Sequence, residues 1–124
     1  MTPDDRKYTK SHEWIKVEGD IATVGITDHA QKSLGDITFI DPGAVGKAIK
    51  QGEECAVIES VKAASEVYAP VDGVIAEANA ELESAPELVN DGSYDKGWIL
   101  KLKDINSAQL ADLMDAAGYD AITG

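Results

Sequence analysis

The chain has 124 residues, a formal net charge of −12 and a single cysteine. That length fits one domain, spanning 1–124, with a core that needs no staples. The acidity argues against nucleic acid and against anionic membrane surfaces, which call for basic patches, and the lone Cys55 has no partner for an internal disulfide, which suits a reducing compartment.

The opening residues Met1 to Lys7 mix acidic and basic side chains around no apolar stretch, unlike a signal or transit peptide. No later run approaches bilayer-spanning length, so a cytoplasmic bacterial protein is expected. Trp14-Ile15-Lys16-Val17-Glu18 alternates, and Ile21 to Ile26 follows across Gly19-Asp20, which predicts a hairpin. Thr27 is placed to cap a short helix through Asp28, His29, Ala30, Gln31 and Lys32, ended by Gly35. Strand character resumes at Ile37–Ile40, stops at Pro42-Gly43, and resumes near Ala48-Ile49 before a turn at Gly52.

The next stretch carries the chemistry. Ala56 to Ile58 is short enough for a buried strand, and Val67 to Val71 is rich in β-formers, closed by Pro70 and Asp72-Gly73. Together they read as a hairpin with Lys62 at its tip and Glu59 and Glu66 on its flanks. Val61, Ala63 and Ala64 are poor turn residues. A turn built from them makes sense if a modifying enzyme reads it and needs the amine held forward on a small platform. Cys55, at the start of the apolar run, reads as a small buried hydrophobe.

Beyond the hairpin, Val74–Ala78 predicts another strand, and Asn79 can cap a helical turn through Ser84 with Pro86 as its stop. Asn90–Ser93 reads as loop and Trp98–Leu102 as strand. Leu110, Leu113, Met114 and Ala117 recur at helical spacing after Asn106-Ser107, which predicts an amphipathic helix over about 107–117 with Gly118 beyond. Many short strands with few helices give a mainly β (α+β) fold of the sandwich or barrel kind. His12 and His29 have no partner at metal-ligand spacing, no phosphate loop is present, and no metal or catalytic centre is expected.

Glu59-Ser60-Val61-Lys62-Ala63-Ala64-Ser65, followed by Tyr68-Ala69-Pro70-Val71-Asp72-Gly73, resembles the lipoylation hairpin of the glycine cleavage system H-protein family. Ser11-His12-Glu13-Trp14, Gly25 to Gln31, Leu34-Gly35-Asp36 with Phe39, Asn79, Pro86 to Asn90 and Gly97-Trp98 fall in that family's order and spacing. The chain departs from it at Phe39 to Gly46, where the family commonly reads Phe-Val-Glu-Leu-Pro-Glu-Val-Gly, and at Ser93, where a proline often precedes the tyrosine.

The resemblance implies a barrel-sandwich hybrid of the lipoyl/biotinyl type with short helices. It also implies lipoate in amide linkage to Lys62, on a carrier that is shuttled rather than catalytic. The arm would bring the aminomethyl group of glycine from glycine decarboxylase (P-protein) to aminomethyltransferase (T-protein), and dihydrolipoamide dehydrogenase (L-protein) would reoxidise it. A lipoate ligase or lipoyl transferase would attach the group, reading Glu59, Ser60, Val61 and Ala63. The loaded arm ends in an amine that the family tucks against the protein, protecting it from hydrolysis. A tucked cation wants a carboxylate, so Glu13 and Glu66 are the expected contacts, with Ser11 as a neutral partner; Glu66 is also open to a recognition role.

The flanking Val61 and Ala63 differ from the methionines of biotin carriers, and the lipoyl domains of 2-oxoacid dehydrogenases usually carry Asp at the position of Val61. A non-lipoylated module with the same fold, a lipoate-relay protein using the same lysine, and a hydrolase using Cys55 are the competing readings.

Overall fold

A computed structural model describes residues 2–123. Its strands are β1 (Lys7–Tyr8), β2 (Glu13–Glu18), β3 (Ile21–Ile26), β4 (Ile37–Asp41), β5 (Ala48–Ile49), β6 (Glu54–Ser60), β7 (Ala64–Tyr68), β8 (Gly73–Ala78) and β9 (Leu100–Lys103). They form a six-stranded sheet in the order β1-β2-β3-β9-β8-β5 and a three-stranded sheet in the order β4-β6-β7, all neighbours antiparallel. Ile15, Val24, Ile75, Leu100 and Leu102 of the larger sheet and Ile37, Ile40, Ile58 and Val67 of the smaller share one buried core. This is the sandwich of short strands expected from the alternation.

The first hairpin follows its sequence signal. Glu18 pairs with Ile21 across Gly19-Asp20, and Gly19 adopts the positive φ of 62° that so tight a connection requires. Helix α1 (Asp28–Leu34) is capped by the Thr27 hydroxyl, which accepts from the Ala30 N–H, and ends where the Gly35 N–H donates to the Gln31 carbonyl. Strand β2 does not alternate simply, because Glu13, Trp14 and Ile15 are all buried. Ile15 faces the main core, while Trp14 joins Tyr8 and Tyr119 in a second cluster against Tyr94, Trp98 and Met114.

The second half bears out one expectation and corrects two. The turn after Asn79 is a four-residue helix, α2 (Glu81–Ser84), as expected, with the Asn79 side-chain Oδ1 accepting from the Glu81 N–H. Pro86 does not simply end it, since a further helical turn, α3 (Leu88–Asp91), takes in Asn90, read above as loop. The single helix expected over 107–117 is broken. A 3₁₀ segment, Ser107–Asp112, is followed by an extended Leu113, and helix α4 (Ala116–Thr123) runs on through Gly118. The break has a physical reason: Leu110 and Leu113 pack on the main core, whereas Met114 and Ala116 pack on the second cluster. One straight helix cannot serve both faces, and Met114 instead exchanges backbone hydrogen bonds with Tyr8. The Asp115 side chain then starts α4 afresh by accepting from the Gly118 N–H at 2.8 Å.

Candidate functional site

Strands β6 and β7 pair from Glu54↔Tyr68 to Glu59↔Ala64, which leaves Val61, Lys62 and Ala63 as the exposed tip. Ser60 supplies what these poor turn residues lack. Its backbone N–H donates to the Ala63 carbonyl, and its hydroxyl accepts from the N–H groups of Lys62 and Ala63, each at 3.2 Å. The Val61 N–H donates to the Asp36 carbonyl at 3.0 Å, which docks the tip on the entry to β4. A Cβ added at Gly35 would lie 3.4 Å from Lys62 Cε, so the lysine stem runs over a glycine. Among the described residues Lys62 makes no ion pair. Lys62 is thus exposed on a backbone fixed by these bonds, between Val61 and Ala63.

The platform beneath the tip is held by Asn90, a residue that sequence reasoning placed in a loop and in the stretch shared with the family but gave no role. The Asn90 amide donates to the Gln31 side chain and to the Gly35 carbonyl, and its oxygen accepts from the Ile37 N–H at 2.9 Å. These bonds fix Gly35 to Ile37, and hence the Asp36 carbonyl that anchors Val61. A half-buried Asn is a signal of such a role, but its partners lie 53 to 59 positions away in the chain.

A cavity of about 250 Å³ opens near the far end of β7, lined by Tyr8, Thr9, Ser11, Glu13, Tyr68, Leu113 and Met114 among others. Glu13 shares the inward face of β2 with Ile15 and is 1% exposed. Its Oε1 accepts from the hydroxyls of Thr9 (2.5 Å) and Ser11 (2.6 Å), and its Oε2 from the Tyr68 N–H (3.2 Å). Burial pushes the carboxyl above its ordinary range, and the hydrogen bonds from Ser11, Thr9 and Tyr68 counter this only in part. The cavity thus offers an apolar wall and one buried carboxylate, the arrangement that suits a short apolar chain ending in a cation.

Ser11 and Glu13 are therefore brought together as the sequence suggested. Glu66 is not with them: it is exposed on β7 opposite Val57. It does share the outward face of that strand with Ala64 and with Tyr68, which lines the cavity. From Ala64, next to the lysine tip, to Tyr68 at the cavity that face spans about 13 Å, at roughly 3.3 Å per residue. Glu59 is exposed beside the tip and pairs with Ala64. Thr9 and the cavity-lining Asp112 escaped sequence reasoning; the alternation Thr9, Ser11, Glu13 was the available signal for the first.

Cys55 is 4% exposed, and burial first, then the nearby Glu13 charge, pushes its thiol up to about 12. It packs in the core and has none of the features of a nucleophile. His12 and His29, distant in sequence, lie with ring centroids 4.6 Å apart and their planes tilted by 31°. Among the described residues no group of three or more His, Cys, Asp or Glu could hold a metal ion, and no helix is long and apolar enough to cross a membrane.

Comparison with known proteins places this geometry. The family model described as Glycine cleavage H-protein matches residues 6–123. The chain is 55% identical over 122 residues to the glycine cleavage system H protein of Bordetella pertussis, covering 98% of each chain. It is 53% identical over 121 residues to that of Symbiobacterium thermophilum, covering 98% of this chain and 94% of the relative. The crystal structure of a glycine cleavage system H protein from Mycobacterium marinum superposes with a TM-score of 0.87 at 33% identity, covering 97% of each chain.

Proposed function

The chain belongs to the glycine cleavage H-protein family, whose role is that of lipoyl carrier, and on that footing we propose that Lys62 is the residue that carries the lipoyl group. The observation that supports this is the tip itself: an exposed amine, free of ion pairs among the described residues, on a turn fixed by Ser60 and bordered by Val61 and Ala63. An acylating enzyme needs such access, and Glu59, Ser60, Val61 and Ala63 form the surface it would read.

Bound there, lipoate would supply a dithiolane, the chemistry for taking up the aminomethyl group of glycine, with Lys62 holding it in amide linkage. What the chain contributes is placement. Amide formation removes the Lys62 charge and makes the arm largely apolar, suited to the walls of Tyr8, Leu113 and Met114. The Glu13 carboxylate, already oriented by Thr9 and Ser11, accepts hydrogen bonds from the ammonium of the loaded arm and keeps it from water. Glu66, on the strand face leading there, offers a second charge on the way.

In this reading the chain is one lipoyl-carrier domain over 1–124, shuttled among enzymes and not itself catalytic. Its partners are those of the glycine cleavage system: glycine decarboxylase, aminomethyltransferase and dihydrolipoamide dehydrogenase, with a lipoate ligase or lipoyl transferase for maturation, all in the cytoplasm. Intact mass with peptide mapping, on protein made with lipoate and a lipoate-attaching enzyme, tests it. A lipoyl-sized increase on Lys62 is expected, lost in Lys62→Arg without loss of fold and slowed in Glu59→Gln. An unmodified Lys62 beside a lipoylated positive control would refute it and favour a non-lipoylated module.

A further inference from the structure

The turn that holds Glu13 is strained. His12, between Ser11 and Glu13, is one of two non-glycine residues with positive φ among the described residues, at 73°. Such a conformation persists only where the surroundings enforce it. Part of that enforcement is local: the His12 N–H donates to the Thr9 carbonyl, and the Glu13 N–H to the Thr9 hydroxyl. The rest comes from distant parts of the chain. The His12 carbonyl accepts from the Thr27 N–H at 3.0 Å, and His12 Nδ1 lies 2.7 Å from the Tyr119 hydroxyl, which lies 2.6 Å from the Thr27 hydroxyl. Tyr119 is 1% exposed, stacks on Tyr8 with centroids 4.9 Å apart, and does not line the cavity.

We propose that Tyr119 of helix α4 is a positioning residue for the loaded arm: its hydroxyl ties His12 to Thr27 and so fixes the Thr9–Glu13 turn that presents the Glu13 carboxylate to the cavity. The proposal rests on the reading of Lys62 and the cavity given above. It differs from plain core packing in what it requires of Tyr119, because packing needs the ring alone and positioning needs the hydroxyl. It also gives the C-terminal segment two jobs at one site, since Leu113 and Met114 wall the cavity whose carboxylate Tyr119 orients through His12.

Tyr119→Phe keeps the ring and removes the hydroxyl. In the unmodified full-length chain, the Glu13 side-chain carbon followed by NMR should titrate nearer the ordinary carboxylate range in Tyr119→Phe, as the freed turn opens to water. In the lipoylated, amine-loaded chain, loss of the amine should be faster by roughly five-fold, the effect of one hydrogen bond. His12→Asn, which tolerates positive φ and offers an amide near the Nδ1 position, should behave as the parent, and His12→Ala as Tyr119→Phe. Parent-like Glu13 titration in Tyr119→Phe and His12→Ala would overturn the proposal, and so would a shifted titration with unchanged amine loss. Failure of the carrier reading is separately visible, as an unlipoylated Lys62 in the parent whose Glu13 titration still responds to Tyr119→Phe; that result would overturn the role toward the arm.

Discussion

Replacing Glu13 by Gln removes one charge and almost no volume, and the structure sets what should follow. The Tyr68 N–H can only donate, so the Gln carbonyl must face it, while the hydroxyls of Thr9 and Ser11 turn to accept from the new amide. The fold is therefore retained, and the lost quantity is the charge assistance given to a bound ammonium, worth about 1.5–3 kcal/mol for a hydrogen bond to a charged group. That corresponds to amine loss from the loaded arm roughly 10- to 150-fold faster. The pH dependence has a definite sign. Burial raises the Glu13 carboxyl in the arm-free chain, whereas the bound ammonium of the loaded arm favours the ionised form and draws its midpoint back down. Amine loss in the parent therefore accelerates as pH falls through this lower, occupied-site midpoint and shows no such inflection in Glu13→Gln. In the arm-free chain the folded state holds the Glu13 proton more tightly than the unfolded state. The parent therefore loses stability relative to Glu13→Gln as pH rises from the ordinary carboxylate range through the raised midpoint. Amine release from loaded, lipoylated protein, followed across that range for both proteins, is the assay. Equal rates and coincident pH profiles would refute the assignment of Glu13.

Ser60→Ala removes the acceptor for the Lys62 and Ala63 N–H groups and should cost the tip about 1 kcal/mol, by analogy with a lost cap. Faster amide exchange at those positions with slower lipoylation is expected, and unchanged exchange would count against the Ser60 role. Gly25→Ala would put a Cβ 2.6 Å from Trp14 Cζ2, and Trp14 is held by hydrogen bonds from its indole to Ile26 and Ser93. Overpacking of about 1–3 kcal/mol should lower the urea midpoint; an unmoved midpoint would show that Trp14 yields freely. The Cys55 thiol, pushed up to about 12 by burial, should resist thiol reagents in the native chain and react fully on unfolding, and prompt native labelling would contradict its burial.

The lysine hairpin was legible because every signal it uses is local: apolar strands on either side, small residues between them, and Ser60 within hydrogen-bonding reach of the turn it closes. The same holds for Gly19-Asp20 and for the Thr27 cap. The C-terminal helix was misread for the opposite reason. Its stripe of Leu110, Leu113, Met114 and Ala117 has helical spacing, but Leu110 and Leu113 join the main core, Met114 joins the second cluster and Ala117 is exposed, an arrangement set by strands far away in sequence. Short-range periodicity and turn chemistry act within a few residues, and by themselves they determined the mainly β class and a hairpin with Lys62 at its tip. The grouping of Ser11 with Glu13 was what the family resemblance implied. Only the tertiary structure decided that Glu66 lies apart from that pair, that Asn90 braces the tip, and that Tyr119 reaches the turn before β2. Those contacts join residues 53 to 107 positions apart, and they exist only once both sheets have closed on one core and brought the chain ends together.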